Sequence, residues 1–171
     1  MQIPFAKSER STIGIEWELA LVDTDSGDLR QVAQTVLDAV APPGGGEHAH
    51  IRQELLLNTV EVVSGVCHTV AEAGADLQRA IDEIRVVTDP LRVELMCAGT
   101  HPCAAWDHQK VTDKERYATL IDRTQWWGRQ MLIYGVHVHV GIEDRDKVLP
   151  ISRAMLTYYG HLQALSASSP F

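Results

Sequence analysis

The sequence predicts an α+β fold: a curved, largely antiparallel sheet with helices covering one face. Three observations carry that expectation. Residues 12–22, TIGIEWELALV, alternate without a fault, with Ile13, Ile15, Trp17, Leu19 and Leu21 on one side and Thr12, Gly14, Glu16, Glu18 and Ala20 on the other, the period of a half-buried strand. Residues 135–141, GVHVHVG, alternate again, valine against histidine. Between and after these strands run segments of helical period, two of them opened by a Thr-x-x-Glu pattern at Thr69/Glu72 and Thr112/Glu115, the signature of a capping box. Strands that are apolar on one side only need cover on that side only, and amphipathic helices supply it.

Along the chain, DTDSGD (23–28) reads as a turn, because Asp, Ser and Gly satisfy or relax turn backbones. LRQVA (29–33) is expected to return as a short strand, and residues 34–40 as a short helix. The loop Pro42-Pro43-Gly44-Gly45-Gly46 lacks the Gly-Lys-Ser/Thr ending of a phosphate-binding loop, so it reads as a connector. Glu47, His48 and His50 follow it and read as solvated side chains. Residues 59–64 form a further strand, preceded by a looser extended piece near 50–55. Glu54 and Glu61 are an odd number of residues apart, which in one unbroken strand would place them on opposite faces; a bulge or bend near Leu56–Asn58 is needed to unite them.

Val70, Gly74, Leu77, Ile81, Ile84 and Thr88 mark the inward face of a helix that ends near Asp89-Pro90, since the residue before proline leaves the helical region. LRVELMCAG (91–99) is a strand, and Tyr117, Leu120, Ile121, Thr124, Trp127 and Met131 trace a second helix running to about Tyr134, with Trp126 and Trp127 packed. After HVHV comes a last helix over 144–168, with Val148, Ile151, Met155, Tyr158, Leu162 and Leu165 inward and Pro150 in its first turn.

The chain has 171 residues and a formal net charge of −8. That length suffices for one domain with a real core, and the acidic balance argues against nucleic-acid binding, which needs a positive surface. No apolar run reaches the ~18 residues of a membrane span, and MQIPFAKSER has no apolar signal core. Cys67, Cys97 and Cys103 give no paired spacing, so each reads as a buried thiol in a reducing cytoplasm.

Glu16, Glu18, Glu61 and His137 or His139 put ligand-type residues on at least three strands, each opposite an apolar face. A polar sheet face of this kind, taken alone, is more often simply solvated; its recurrence on several strands argues for a divalent-cation site. An oxygen-dominated set with one imidazole suits Mg²⁺ or Mn²⁺ better than Zn²⁺. Several such ions on an open sheet suggest phosphoryl transfer from a nucleotide.

GIEWELALVD (14–23), ELLLNTVEVVSGVC (54–67), AGTHPCAAW (98–106), QKVTDKERY (109–117), YGVHVHVGIEDRD (134–146) and LSASSPF (165–171) together resemble the carboxylate–amine ligases of the type 2 glutamate–cysteine ligase family, whose core is similar to that of glutamine synthetase. The resemblance implies a curved antiparallel sheet whose inner face holds ATP and Mg²⁺, with Mn²⁺ as a substitute. It maps Glu16, Glu18, Glu54, Glu61 and His137 as metal ligands, His137 and His139 as nucleotide contacts, and His101 near the substrate. Trp17 departs from the acidic residue often found between the two glutamates and faces away from them. The implied chemistry is phosphorylation of a glutamate-like γ-carboxylate by ATP, then attack on the acyl phosphate by an amine such as that of cysteine; no side-chain nucleophile is assigned. The resemblance covers about the first half of such a ligase and ends within a motif. Residues 1–171 are therefore expected to be the N-terminal portion of one catalytic domain, weakly active or inactive alone, that self-associates or joins a missing C-terminal half. The rival expectations are a catalytically incompetent fragment that binds metal and nucleotide only, and a metal-dependent hydrolase on another α+β fold.

Overall fold

The computed structural model describes residues 4–169. Its elements are β1 (Ile13–Asp23), α1 (Ala33–Val40), β2 (Ile51–Gln53), β3 (Thr59–Val63), α2 (Val70–Thr88), β4 (Val93–Met96), α3 (Glu115–Thr124), α4 (Trp126–Arg129), β5 (Val136–Val140), α5 (Arg145–Leu156) and α6 (Tyr159–Leu165). All strand pairs are antiparallel, and β1 is the centre of the sheet. On one side of it lies β3, with β2 beyond; the other side is shared end to end by β5, against residues 13–17, and β4, against residues 20–23. The α+β expectation therefore holds, with the faultless alternation of TIGIEWELALV as its spine.

The apolar face is closed by two helices. Leu19, Leu21, Ile51, Val60, Val62 and Val93 pack with Val36 and Val40 of α1 and with Leu77, Ala80 and Ile84 of α2. Thr69 caps α2 by accepting a hydrogen bond from the Glu72 amide at 3.1 Å. Glu72 in turn accepts from the amide of His68, the residue before the cap, at 2.7 Å, so one orphan donor of the first turn is satisfied and the chain entering the helix is tied to it. The buried stripe runs through Ala73, Leu77, Ala80, Ile84 and Thr88, not through Val70 and Gly74, which are exposed. Alanines at the contact let the helix approach the sheet closely.

Several local expectations are corrected. Leu29 forms a single bridge to Val22 and no strand, because α1 starts at Ala33 to bring Ala33 and Val36 into the core. His48 and His50 are half-buried: His48 Nε2 is 3.4 Å from Glu83 Oε2, and His50 Nδ1 is 2.8 Å from the Val63 carbonyl. Thr112 does not cap α3, because its hydroxyl is spent on the Glu54 carbonyl at 2.7 Å. The helix stops at Thr124, where Gln125 takes φ 51, a left-handed excursion that breaks a helix. Trp126 and Trp127 lie on the short α4, exposed and edge-on to each other at 4.8 Å between centroids.

The last helix is two, α5 and α6, and Pro150 lies inside α5. No residue from 149 to 169 is buried, so Ile151, Met155, Tyr158, Leu162 and Leu165 do not face the core. The valines of β5 are likewise 60–62% exposed. The cause is common: α1 and α2 close the core over β1–β4, and β5 extends past their cover. Of the cysteines, Cys67 is buried, while Cys97 and Cys103 are exposed. Pro170-Phe171, the end of the last sequence block, lies outside the described residues.

Candidate functional site

The uncovered face of the sheet collects the charges. Register sets Glu18 opposite Glu61 across β1 and β3, Glu16 opposite His137 and Gly14 opposite His139 across β1 and β5. Residues directly opposed in an antiparallel ladder share a face, so alternation turns Glu16, Glu18, Glu61, His137 and His139 one way and Leu19, Val60 and Val62 the other.

Glu54 reaches this face through a reversal of the chain. β2 and β3 are the arms of a hairpin in which Arg52 opposes Glu61, and Glu54 lies two residues beyond Arg52. A turn through Leu57 and Asn58 reverses direction, so an odd spacing in sequence becomes a shared face in space. The bend required at Leu56–Asn58 is this turn. Asn58 is fully buried and anchors it: its carbonyl accepts from the Leu21 amide at 2.8 Å, its Nδ2 donates to Gln109 Oε1 at 2.8 Å, and its Oδ1 accepts from the Thr59 hydroxyl at 2.8 Å. Thr112 holds the other arm, its hydroxyl donating to the Glu54 carbonyl at 2.7 Å and its amide to the Leu55 carbonyl at 2.8 Å. As a result one carboxylate oxygen from each of Glu18, Glu54 and Glu61 lies within 4.8 Å of the others.

The electrostatics divide the predicted ligand set. Glu61 is 7% exposed; burial, with the neighbouring Glu54 and Glu16 charges, pushes its carboxyl up to about 7. Burial also raises Glu18, against a hydrogen bond from the Gly135 amide at 2.7 Å, and the Glu54 charge adds to the rise. Glu16 differs. Burial raises it too, but His139 Nε2 at 3.2 Å and His137 Nδ1 at 3.3 Å together outweigh that and bring it below the usual range. The five residues expected on metal thus separate into a three-carboxylate cluster, Glu18, Glu54 and Glu61, and the pair Glu16 and His137 beside it, which His139 joins.

Three converging carboxylates, two of them held above their ordinary pKa, are short of positive charge. A hard divalent cation would relieve this, and an all-oxygen donor set would suit Mg²⁺ or Mn²⁺. His101 stands apart: it is buried, its Nε2 is 2.9 Å from the Gly27 carbonyl, and its Nδ1 accepts from the Cys103 and Ala104 amides at 3.2 and 2.9 Å. Both ring nitrogens are spent on backbone, which ties the 101–104 loop to the turn after β1.

Residues 12–171 match the family model described as glutamate–cysteine ligase family 2. This chain belongs to that family. Other members with the provisional name glutamate–cysteine ligase 2 include one from Leifsonia xyli, 62% identical over 99% of this chain and 45% of its own length, and one from Arthrobacter, 58% identical over 100% and 46%. The chain therefore spans about half the length of these family members. A crystal structure of glutamate–cysteine ligase from Francisella tularensis in complex with AMP aligns at TM-score 0.61 and 14% identity, over 89% of this chain and 31% of that one. A bifunctional glutathione synthetase from Pasteurella multocida aligns at 0.58 and 14%, over 85% and 18%. At that identity the likeness is one of fold, and the glutamate–cysteine ligase family 2 chain shares it. No helix among the described residues is long and apolar enough to cross a membrane.

Proposed function

We propose that this chain supplies the N-terminal part of a cytoplasmic, ATP- and Mg²⁺-dependent carboxylate–amine ligase of the glutamate–cysteine ligase type. The reading rests above all on the convergence of Glu18, Glu54 and Glu61 within 4.8 Å in a chain of this family. These three carboxylates would hold the divalent cation, and Mn²⁺ would serve in its place. The cation would supply charge neutralisation for phosphoryl transfer from the nucleotide to the substrate carboxylate. That a fold neighbour was crystallised with AMP is in keeping with nucleotide use. Glu16 would orient His137 and His139 toward the nucleotide phosphates, and the Gly135 amide would hold Glu18 in place. The substrates would be a glutamate-like carboxylate and a cysteine-like amine, joined through an acyl phosphate. Since the relatives continue for a further half, turnover would need that half, supplied in the same polypeptide or as a partner.

Calorimetry tests the reading. Mg²⁺-ATP is expected to bind the chain, to bind at least tenfold more weakly to Glu18→Gln and Glu61→Gln, and to be unaffected by Glu47→Ala. Phosphate release that depends on ATP, Mg²⁺ and glutamate is expected only after co-expression with the second half of the Leifsonia relative. Equal binding by wild type and both glutamine variants would refute the assignment.

A further inference from the structure

The carboxylate cluster is flanked by a second, basic wall. A hollow of about 520 Å³ is lined by Glu16, Glu54 and Glu61 and also by Arg52, Lys114 and Arg116. Arg52 faces Glu61 across the β2–β3 ladder. Yet among the described residues neither Arg52 nor Arg116 is ion-paired with a carboxylate; Lys114 is, with Glu47 at 3.5 Å at the rim. Arg116 is held otherwise: its guanidinium donates to the Tyr117 hydroxyl and lies 4.3 Å from the centre of the Tyr117 ring. Tyr117 is buried, and its hydroxyl donates in turn to the Gln53 carbonyl at 3.2 Å. That stacking fixes a planar fork of donors at the hollow without using up its charge.

Two guanidiniums with uncommitted donors next to carboxylates with uncommitted lone pairs form a site of two signs. A free anion entering it meets the field of Glu16, Glu54 and Glu61. A free cation leaves the guanidiniums unused. A ligand that satisfies both is an oxyanion carried together with a divalent ion, and guanidinium forks match carboxylate and phosphate oxygens in pairs.

We propose that Arg52 and Arg116 form an anion-binding wall that takes a carboxylate or phosphate group only when the facing carboxylates hold a divalent cation. This rests on the metal assignment made above for Glu18, Glu54 and Glu61. It adds two binding residues, and a rule of order: cation first, anion second. The two sources of the anion, a nucleotide's phosphates and an amino-acid carboxylate, share this chemistry and are separable by probe.

The test is calorimetry on the full chain with pyrophosphate and, in a second arm, L-glutamate, each with Mg²⁺ and with EDTA. Mn²⁺ binding is followed separately by its paramagnetic resonance signal. At least one anion is expected to bind about tenfold or more tightly with Mg²⁺ than with EDTA. Arg52→Gln and Arg116→Gln are each expected to weaken it by about tenfold or more, the range for losing a charged hydrogen-bond pair, while leaving Mn²⁺ affinity within about twofold. Arg153→Gln, on exposed α5, serves as the unaffected control, and Arg116→Lys is expected to recover only part of the loss because it keeps the charge without the fork. The anion that responds identifies the source. If Mn²⁺ binds and neither anion does, or if anion binding is the same in EDTA or in both glutamine variants, the wall is refuted and the metal site stands. If Mn²⁺ does not bind, both assignments fall.

Discussion

Replacing Glu61 with glutamine should make the metal-free protein more stable at neutral and higher pH. In the unfolded chain this carboxyl ionises near its ordinary 4.5, whereas in the folded sheet it is pushed up to about 7 by burial and by Glu54 and Glu16. Between those values the native state keeps a proton that the unfolded state has lost. Stability therefore falls as pH rises through that window and stays at its lower level above it. Each pKa unit is worth about 1.36 kcal/mol, so the full rise corresponds to about 3 kcal/mol, and water in the adjoining hollow reduces this to about 2. Glutamine keeps the shape and drops the charge. In EDTA, urea denaturation followed by circular dichroism should give Glu61→Gln a gain of about 2 kcal/mol over wild type at pH 8 and near equality at pH 4. Wild type should lose stability from pH 5 to 7.5 while the variant loses much less, with Glu18 keeping part of the slope because its carboxyl is raised too. Mg²⁺ should reverse the order at pH 8, since the cation stabilises only the protein that can bind it. Parallel pH profiles for the two proteins, or a variant less stable than wild type at pH 8 in EDTA, would refute the account of a strained carboxylate cluster.

Asn58→Ala should cost about 1–3 kcal/mol in the same denaturation assay, because Gln109 and Thr59 lose a fully buried partner and such groups are expensive to leave unpaired. It should also weaken Mn²⁺ binding, since the turn that brings Glu54 and Glu61 together is loosened. Two glycines should answer in opposite directions by thermal denaturation. A Cβ at Gly141 falls well inside contact distance of the Glu9 carbonyl and the Thr12 hydroxyl, so Gly141→Ala should cost about 1–3 kcal/mol as overpacking does. A Cβ at Gly74, on the exposed face of α2, meets nothing within 4 Å, so Gly74→Ala should stabilise by about 0.5–1 kcal/mol from helix propensity.

What could be read from the sequence follows from how local each determinant is. TIGIEWELALV declares its strand because alternation is written into the stretch itself, and α2 declares its start through Thr69 and Glu72. That Glu16, Glu18 and Glu61 share a face is legible for the same reason. Glu54 is harder: its face depends on a chain reversal at Leu57-Asn58, and periodicity carries no information across a turn. Thr112 looks like a cap but serves as a clamp, because the Glu54 carbonyl that competes for its hydroxyl is remote in sequence. The stop at Thr124 is marked by neither glycine nor proline, so the apolar period runs on past the real end of α3. The valines of β5 mark an apolar face correctly, but whether anything covers that face is a property of the whole sheet and of how far α1 and α2 extend. The same limit applies to Arg52. Its place two residues before Glu54 hints at a shared side, and only the β2–β3 register puts it opposite Glu61.

The way the site is divided along the chain also sets an order of construction. Glu18, Glu54 and Glu61 need β1, the β2–β3 hairpin and the Thr112 clamp, all contributed by the first two-thirds of the chain. The imidazoles and the Gly135 amide arrive only with β5. During synthesis, which proceeds from the N-terminus, the acidic half of the site can be assembled while the residues that engage Glu16 and Glu18 are still unmade. A divalent ion captured at that stage would tie β1 to the hairpin as a removable cross-link. Metal supply would then act on the maturation of this protein as well as on its chemistry.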